Sequence, residues 1–62
     1  MNAFGFTYFL QGTMTYRVRR AGVDLGTVWR TRTAWGWKRM DGTQGTTRDG
    51  ANRDSAASNL LP

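Results

Sequence analysis

The side chains most able to do chemistry in this sequence are cationic. Nine Lys and Arg residues oppose four carboxylates, all of them Asp, so the formal net charge is +5. Eight of the nine cations are Arg, whose planar guanidinium suits two-pronged contacts with phosphate or guanine. This composition indicates recognition of a polyanion.

The cations are concentrated in the middle of the chain. Residues 14–39 contain seven cations and one Asp, a local charge of +6, whereas residues 40–62 have a net charge of −1. Such a distribution is typical of a basic patch and not of a uniformly solubilising surface. The candidate nucleic-acid-binding residues are six cations and one aromatic residue: Arg17, Arg19, Arg30, Arg32, Lys38, Arg39 and Trp35.

Few residues in this sequence are suited to catalysis. Neither His nor Cys is present, which removes the commonest general base, the thiol nucleophile and the usual zinc ligands. Turn and helix-cap positions account for Asp24, Asp41, Asp49 and Asp54 without an active site. We therefore expect no enzyme activity, no cofactor and no metal ion.

These side chains must be positioned by a small sheet. Residues 4–10, 13–20, 25–33 and 35–40 have strand-forming composition, and Gln11-Gly12 and Asp41-Gly42 mark turns. Residues 43–49 fit either an edge strand or a loop. Near the end, residues 53–61 place two Ala and two Leu on one face at helical spacing, with Asn52 as the N-cap.

The sequence thus predicts an α+β fold, a three- or four-stranded antiparallel meander with one C-terminal helix packed on one face. We expect residues 13–62 to form a single small βββα domain. Residues 1–12 are an aromatic N-terminal segment that could add an extra strand. At 62 residues the chain is short for a stable single core, so this domain should be marginally stable.

Two strand registers are open around Gly22-Val23. In the first, which we favour, Tyr16 pairs with Trp29 and both enter the core, leaving Arg17, Arg19, Arg30 and Arg32 together outside. A slip of one residue would instead bury Val18 and Val28 and send Trp29 to the outer face. In both registers Arg17 and Arg19 remain outside. Of Trp35 and Trp37, one should pack under the helix and the other lie at the rim.

Element order and a few residues resemble known DNA-binding modules. Gly26, Trp37, Asp41-Gly42 and the Ala56-Ala57…Leu60-Leu61 pattern are similar to the three-stranded-sheet-plus-helix modules of integrase arm-binding and AP2-type domains. The resemblance covers residues 15–61. It implies that the sheet enters the major groove of DNA and that Arg17, Arg19, Arg30 and Arg32 contact bases and phosphates.

From these observations we expect a small basic DNA-binding module, encoded by a phage or another mobile element, with duplex DNA as partner and RNA as a second candidate. The alternative is a small adaptor that binds a host protein through its N-terminal aromatic strand, using Phe4, Phe6, Tyr8 and Phe9. No stretch is long and apolar enough for a membrane span, and residues 1–10 lack the basic start of a secretory signal. The expected location is cytoplasmic.

Overall fold

The computed structural model describes residues 5–61 of the protein, which form one antiparallel sheet and one helix. The strands follow chain order across the sheet, so the α+β meander with a C-terminal helix is confirmed, with five strands. The elements are β1 Phe6–Gly12, β2 Thr15–Arg20, β3 Val23–Arg30, β4 Trp35–Arg39, β5 Gln44–Thr46 and α1 Arg53–Ser58. Among residues 5–61, no helix has the length and apolar character needed to cross a membrane.

Two segments whose role the sequence did not decide, the one before residue 13 and residues 43–49, each contribute a strand to this sheet. β1 pairs with β2 from Phe6 to Gly12, with a register shift between Leu10 and Gly12, and β5 pairs with β4 through three residues. The expected turn at Gln11-Gly12 is wrong, because those residues belong to β1. The chain reverses instead at Thr13-Met14, where Met14 takes a φ of 54°. Phe4, expected at the start of the first strand, lies outside the described residues.

A bulge in β3 decides which side chains face the helix. Ala21 and Gly22 have φ of 53° and 80°, the positive values that a two-residue type I′ turn requires. Next to this turn Arg20 pairs with Val23, but the register shifts by one residue at Leu25, so that Tyr16 pairs with Val28. The favoured pairing of Tyr16 with Trp29 is therefore wrong, because a one-residue shift moves every later side chain of β3 to the opposite face.

The core lies between the sheet and α1. Phe6, Val18, Val28 and Trp35 from the sheet meet Ala56, Ala57 and Leu60, and both valines are fully buried. Because Val18 and Val28 are inside, Trp29 points to the opposite face.

α1 is shorter than expected, but its predicted start is confirmed. The side chain of Asn52 accepts a hydrogen bond of 2.8 Å from the amide of Ser55, which satisfies a free donor of the first turn. The helix ends at Ser58 instead of continuing to Leu61. Leu60 is nevertheless 4% exposed, because the turn that follows the helix keeps it against the sheet. Arg39 secures this turn, its Nε donating to the carbonyl of Asn59 at 2.9 Å.

Candidate nucleic-acid interface

The sheet face opposite α1, called here the open face, is polar, basic and aromatic. Within residues 5–61, the single helix packs on the other side of the sheet. Cross-strand partners share a face, so the register gives the composition of the open face directly. Its side chains are those of Thr7, Phe9, Thr15, Arg17, Arg19, Asp24, Thr27, Trp29, Lys38, Gln44 and Thr46.

One row of this face crosses four strands. Phe9 pairs with Arg17, Arg17 with Thr27, and Thr27 with Lys38. With neighbouring strands about 4.8 Å apart, the row is roughly 14 Å long. It places an aromatic ring at one end, a lysine at the other and a guanidinium between them.

Asp24 holds the two arginines of the open face in place. Its carboxylate lies 2.9 Å from Nε of Arg19 and 3.7 Å from a terminal nitrogen of Arg17. The contact with Nε is ionic and not an aligned hydrogen bond. A terminal nitrogen of Arg19 also donates to the carbonyl of Gly22 at 3.1 Å. All three charged side chains are more than one third exposed, so these ion pairs orient the guanidiniums but add little stability.

Two aromatic residues complete the open face. Phe9 is 45% exposed, with the guanidinium carbon of Arg19 5.9 Å from its ring centroid. Trp29 is half-buried, because its indole packs onto the backbone of Gly36. A Cβ at position 36 would lie 2.2 Å from Cε2 of that indole, so only glycine leaves the necessary space.

Several residues expected at the site lie elsewhere. Arg30 is on the helix side, with its guanidinium carbon 5.8 Å from the ring centroid of Trp35. Arg39 is on that side too, over Trp37 at 5.2 Å. Arg32 lies in the loop after β3, because Thr31 turns the chain by accepting from the amide of Ala34 at 3.0 Å. The expected group of four arginines on one face is therefore wrong, and only Arg17, Arg19 and Lys38 share the open face.

Trp35 belongs to the core. It is 7% exposed and packs beside Tyr16, with ring centroids 6.1 Å apart. Burial leaves it no surface on which a base could stack, so its expected role at the interface is corrected. Trp37 is half-buried on the helix side and packs over Gly45. The aromatic residues on the open face are instead Phe9 and Trp29. The sequence pattern placed Trp29 on the outer face only in the register that we did not favour.

A second cluster joins the helix to the sheet. The guanidinium carbon of Arg53 lies 3.8 Å from the ring centroid of Tyr8 and 4.9 Å from that of Tyr16. The hydroxyl of Tyr8 donates to the carboxylate of Asp54, and burial together with this bond raises the pKa of Tyr8 far above its ordinary value. A shallow groove of about 320 Å³ opens beside these groups. The polar groups of Tyr8, Arg53 and Asp54 contact one another and fix α1 against the sheet, so we assign this cluster a structural role.

Of the aromatic residues expected to meet a protein partner, the described ones are divided between two faces. Phe6 is buried in the core and Tyr8 is tied to α1, whereas Phe9 lies on the open face. They do not form one exposed patch. Within residues 5–61, no group of three or more His, Cys, Asp or Glu side chains is placed to hold a metal ion.

Comparisons with known proteins do not indicate a function for the open face. No family model, curated protein or solved structure matches the chain significantly. The resemblance to integrase arm-binding and AP2-type modules therefore stays an expectation from sequence.

Proposed function

We propose that the protein is a small basic nucleic-acid-binding module that contacts DNA through the open face. The observation that carries the proposal is the mixture of cations and aromatic rings on a sheet face that no other described element covers. Arg17, Arg19 and Lys38 supply charge for phosphates, and Phe9 and Trp29 supply ring surface for bases. A cytoplasmic location and an origin in a phage or another mobile element belong to the same proposal.

The electrostatics favour such a partner over a neutral one. The chain has a net charge of +5, and the open face has three cations against the single carboxylate of Asp24. A polyanion releases counterions when it meets these groups, which makes the affinity steeply dependent on salt. Asp24 lowers the net charge of the face, so it should moderate the affinity while keeping Arg17 and Arg19 in position.

The test is a set of binding titrations at several salt concentrations. Arg17→Gln, Arg19→Gln and Lys38→Gln should each lower the slope of log affinity against log salt by about 0.7–0.9. Arg48→Gln is the matched control, because Arg48 is an exposed cation in a loop outside the open face. Asp24→Asn should raise the affinity. Equal losses for Arg48→Gln and the three open-face variants would show that only net charge matters and would refute the proposal.

A protein adaptor that works by strand addition is the second candidate. Among the described strands β1 lies at one edge of the sheet, and its seven residues include no charged side chain. Charged residues commonly protect such edges, and here Leu10 is 67% exposed instead. Leu10→Lys would block strand addition but should leave nucleic-acid affinity unchanged or slightly raised. A strong loss of nucleic-acid binding in Leu10→Lys would move the site to the β1 edge.

A further inference from the structure

The positions of the Phe9 and Trp29 rings on the open face favour single-stranded over duplex nucleic acid. Phe9 lies on β1 and Trp29 on β3, so they are two strand spacings apart across the sheet. Along the strands they are offset by two residues, because Phe9 is level with Thr27. Strand spacing of about 4.8 Å and a rise of about 3.3 Å per residue put their Cα atoms roughly 12 Å apart. Successive bases in a duplex strand are only about 3.4 Å apart. Because each base in a duplex is covered on both faces by its neighbours, neither ring can stack on such a base, whereas the unstacked bases of a single strand offer their faces to both rings.

The two arginines of the open face lie beside Phe9 and make contacts within the protein itself. Arg17 is between the two rings, paired with Phe9 on one side and Thr27 on the other. Asp24 draws the guanidiniums of Arg17 and Arg19 toward itself, and Arg19 also bonds the carbonyl of Gly22. Reading base edges in the major groove requires arginines that extend away from the protein with both prongs free. Held as they are, these arginines are better placed to meet backbone phosphates that pass close to the sheet.

We infer that the open face binds single-stranded nucleic acid, with one base stacked on Phe9, another on Trp29 and the phosphates between them near Arg17. This inference rests on the proposed function and replaces duplex with single strand as the favoured partner. Stacking on an aromatic side chain accepts every base, because each base has a π face. Binding should consequently show little dependence on base sequence.

The experiment compares three fluorescently labelled DNA probes by anisotropy: a 12-nucleotide oligothymidylate, the same oligomer with abasic sites throughout, and a hairpin duplex. The single strand should bind at least about tenfold more tightly than the hairpin. The abasic oligomer keeps the phosphates but lacks the bases, so each lost stacking contact should cost about 5- to 150-fold. This comparison uses the unaltered protein and does not depend on a variant folding.

Two variants then locate the stacking contacts. Phe9→Ala and Trp29→Thr should each weaken binding to the oligothymidylate by about 5- to 150-fold and leave binding to the abasic oligomer nearly unchanged. Leu10→Ala is the matched control, because Leu10 is a more exposed apolar neighbour of Phe9 on the other sheet face. A melting curve for each variant confirms that it is folded.

The possible results distinguish failure of the single-strand inference from failure of the proposed function. If the hairpin binds as well as the single strand, or the abasic oligomer as well as the intact one, the single-strand inference is overturned while nucleic-acid binding stands. Equal losses in Phe9→Ala and Leu10→Ala would also overturn it. If none of the probes binds at low salt, the proposed function fails as well.

Discussion

Replacing Gly36 with Ala tests the packing of the Trp29 indole, on which the composition of the open face depends. An added Cβ would lie 2.2 Å from Cε2, 2.3 Å from Nε1 and 2.4 Å from Cζ2 of that ring. Ordinary van der Waals contact begins at 3.4 Å, so the indole would have to move by about 1.2 Å. We therefore compare Gly36→Ala in the normal chain and in a chain with Trp29→Thr, where the obstacle is gone.

The two backgrounds should give effects of opposite sign. With Trp29 present, overpacking of this kind costs about 1–3 kcal/mol, against which Ala gains about 0.5–1 kcal/mol over Gly in a strand. The net result should be a destabilisation of up to about 2.5 kcal/mol. With Trp29→Thr only the gain remains, so Gly36→Ala should stabilise by about 0.5–1 kcal/mol. The coupling between the two positions is then about 1–3 kcal/mol.

Urea denaturation followed by circular dichroism measures the four free energies of unfolding. For a domain of this size 1 kcal/mol corresponds to a shift of about 4–8 °C in Tm, so thermal melts provide a second reading. If Gly36→Ala has the same effect in both backgrounds, the indole does not lie on Gly36. That result would favour the register in which Trp29 enters the core, and it would remove Trp29 from the candidate site.

Three further substitutions test the elements that build the sheet and dock the helix. Asn52→Ala should lower the free energy of unfolding by about 1 kcal/mol, because a first-turn amide loses its acceptor; an unchanged thermal melt would show that the cap is not formed. Gly26→Ala should leave the chain largely unfolded by near-ultraviolet circular dichroism. The new Cβ would lie 2.1 Å from the carbonyl oxygen of Lys38, and residue 26 has a φ of 147°, which alanine rarely adopts. The steric clash and the backbone strain each cost about 1–3 kcal/mol, against a total stability of about 3–5 kcal/mol. A folded variant would show that β3 does not have this bulge. Tyr8→Phe addresses alkaline stability. The pKa of Tyr8 is raised in the folded state, so its contribution is complete below the unfolded value of 10.0 and is lost as the pH rises above it. Denaturant titrations at pH 8 and 11 should thus show a smaller drop for Tyr8→Phe than for the normal chain, and equal drops would show that neither burial nor the bond to Asp54 raises the pKa of Tyr8.

Features that depend on local chemistry could be predicted from the sequence. Asn52 caps the helix because its side chain reaches an amide three residues away, and this is visible in the order of residues alone. Arg17 and Arg19 reach the open face because they alternate with the buried Val18 in either register. Such assignments need only the period of a strand or the first turn of a helix.

Features that depend on one inserted residue could not be predicted from the sequence. The apolar pair Val28 and Trp29 gives no alternation that would show which of the two faces the core, and the bulge at Leu25 decides it. The short turn from Thr31 to Ala34 likewise ends β3 before Arg32 and removes that cation from the sheet. The ion pairs of Asp24 with two arginines depend on the same register, so the sequence pattern could not predict them either.

The bulge links the stability of the fold to the composition of the site. Gly26 tolerates a φ of 147° against the backbone of Lys38, and this conformation lets β3 include the extra residue Leu25. The shift that follows turns Val28 into the core and Trp29 onto the open face in one step, because successive strand residues point in opposite directions. If β3 continued in the register of the Arg20–Val23 pair without the bulge, Val28 would face outward and Trp29 would enter the core. The packing of Val28 in the core therefore also fixes Trp29 on the face that has the cations.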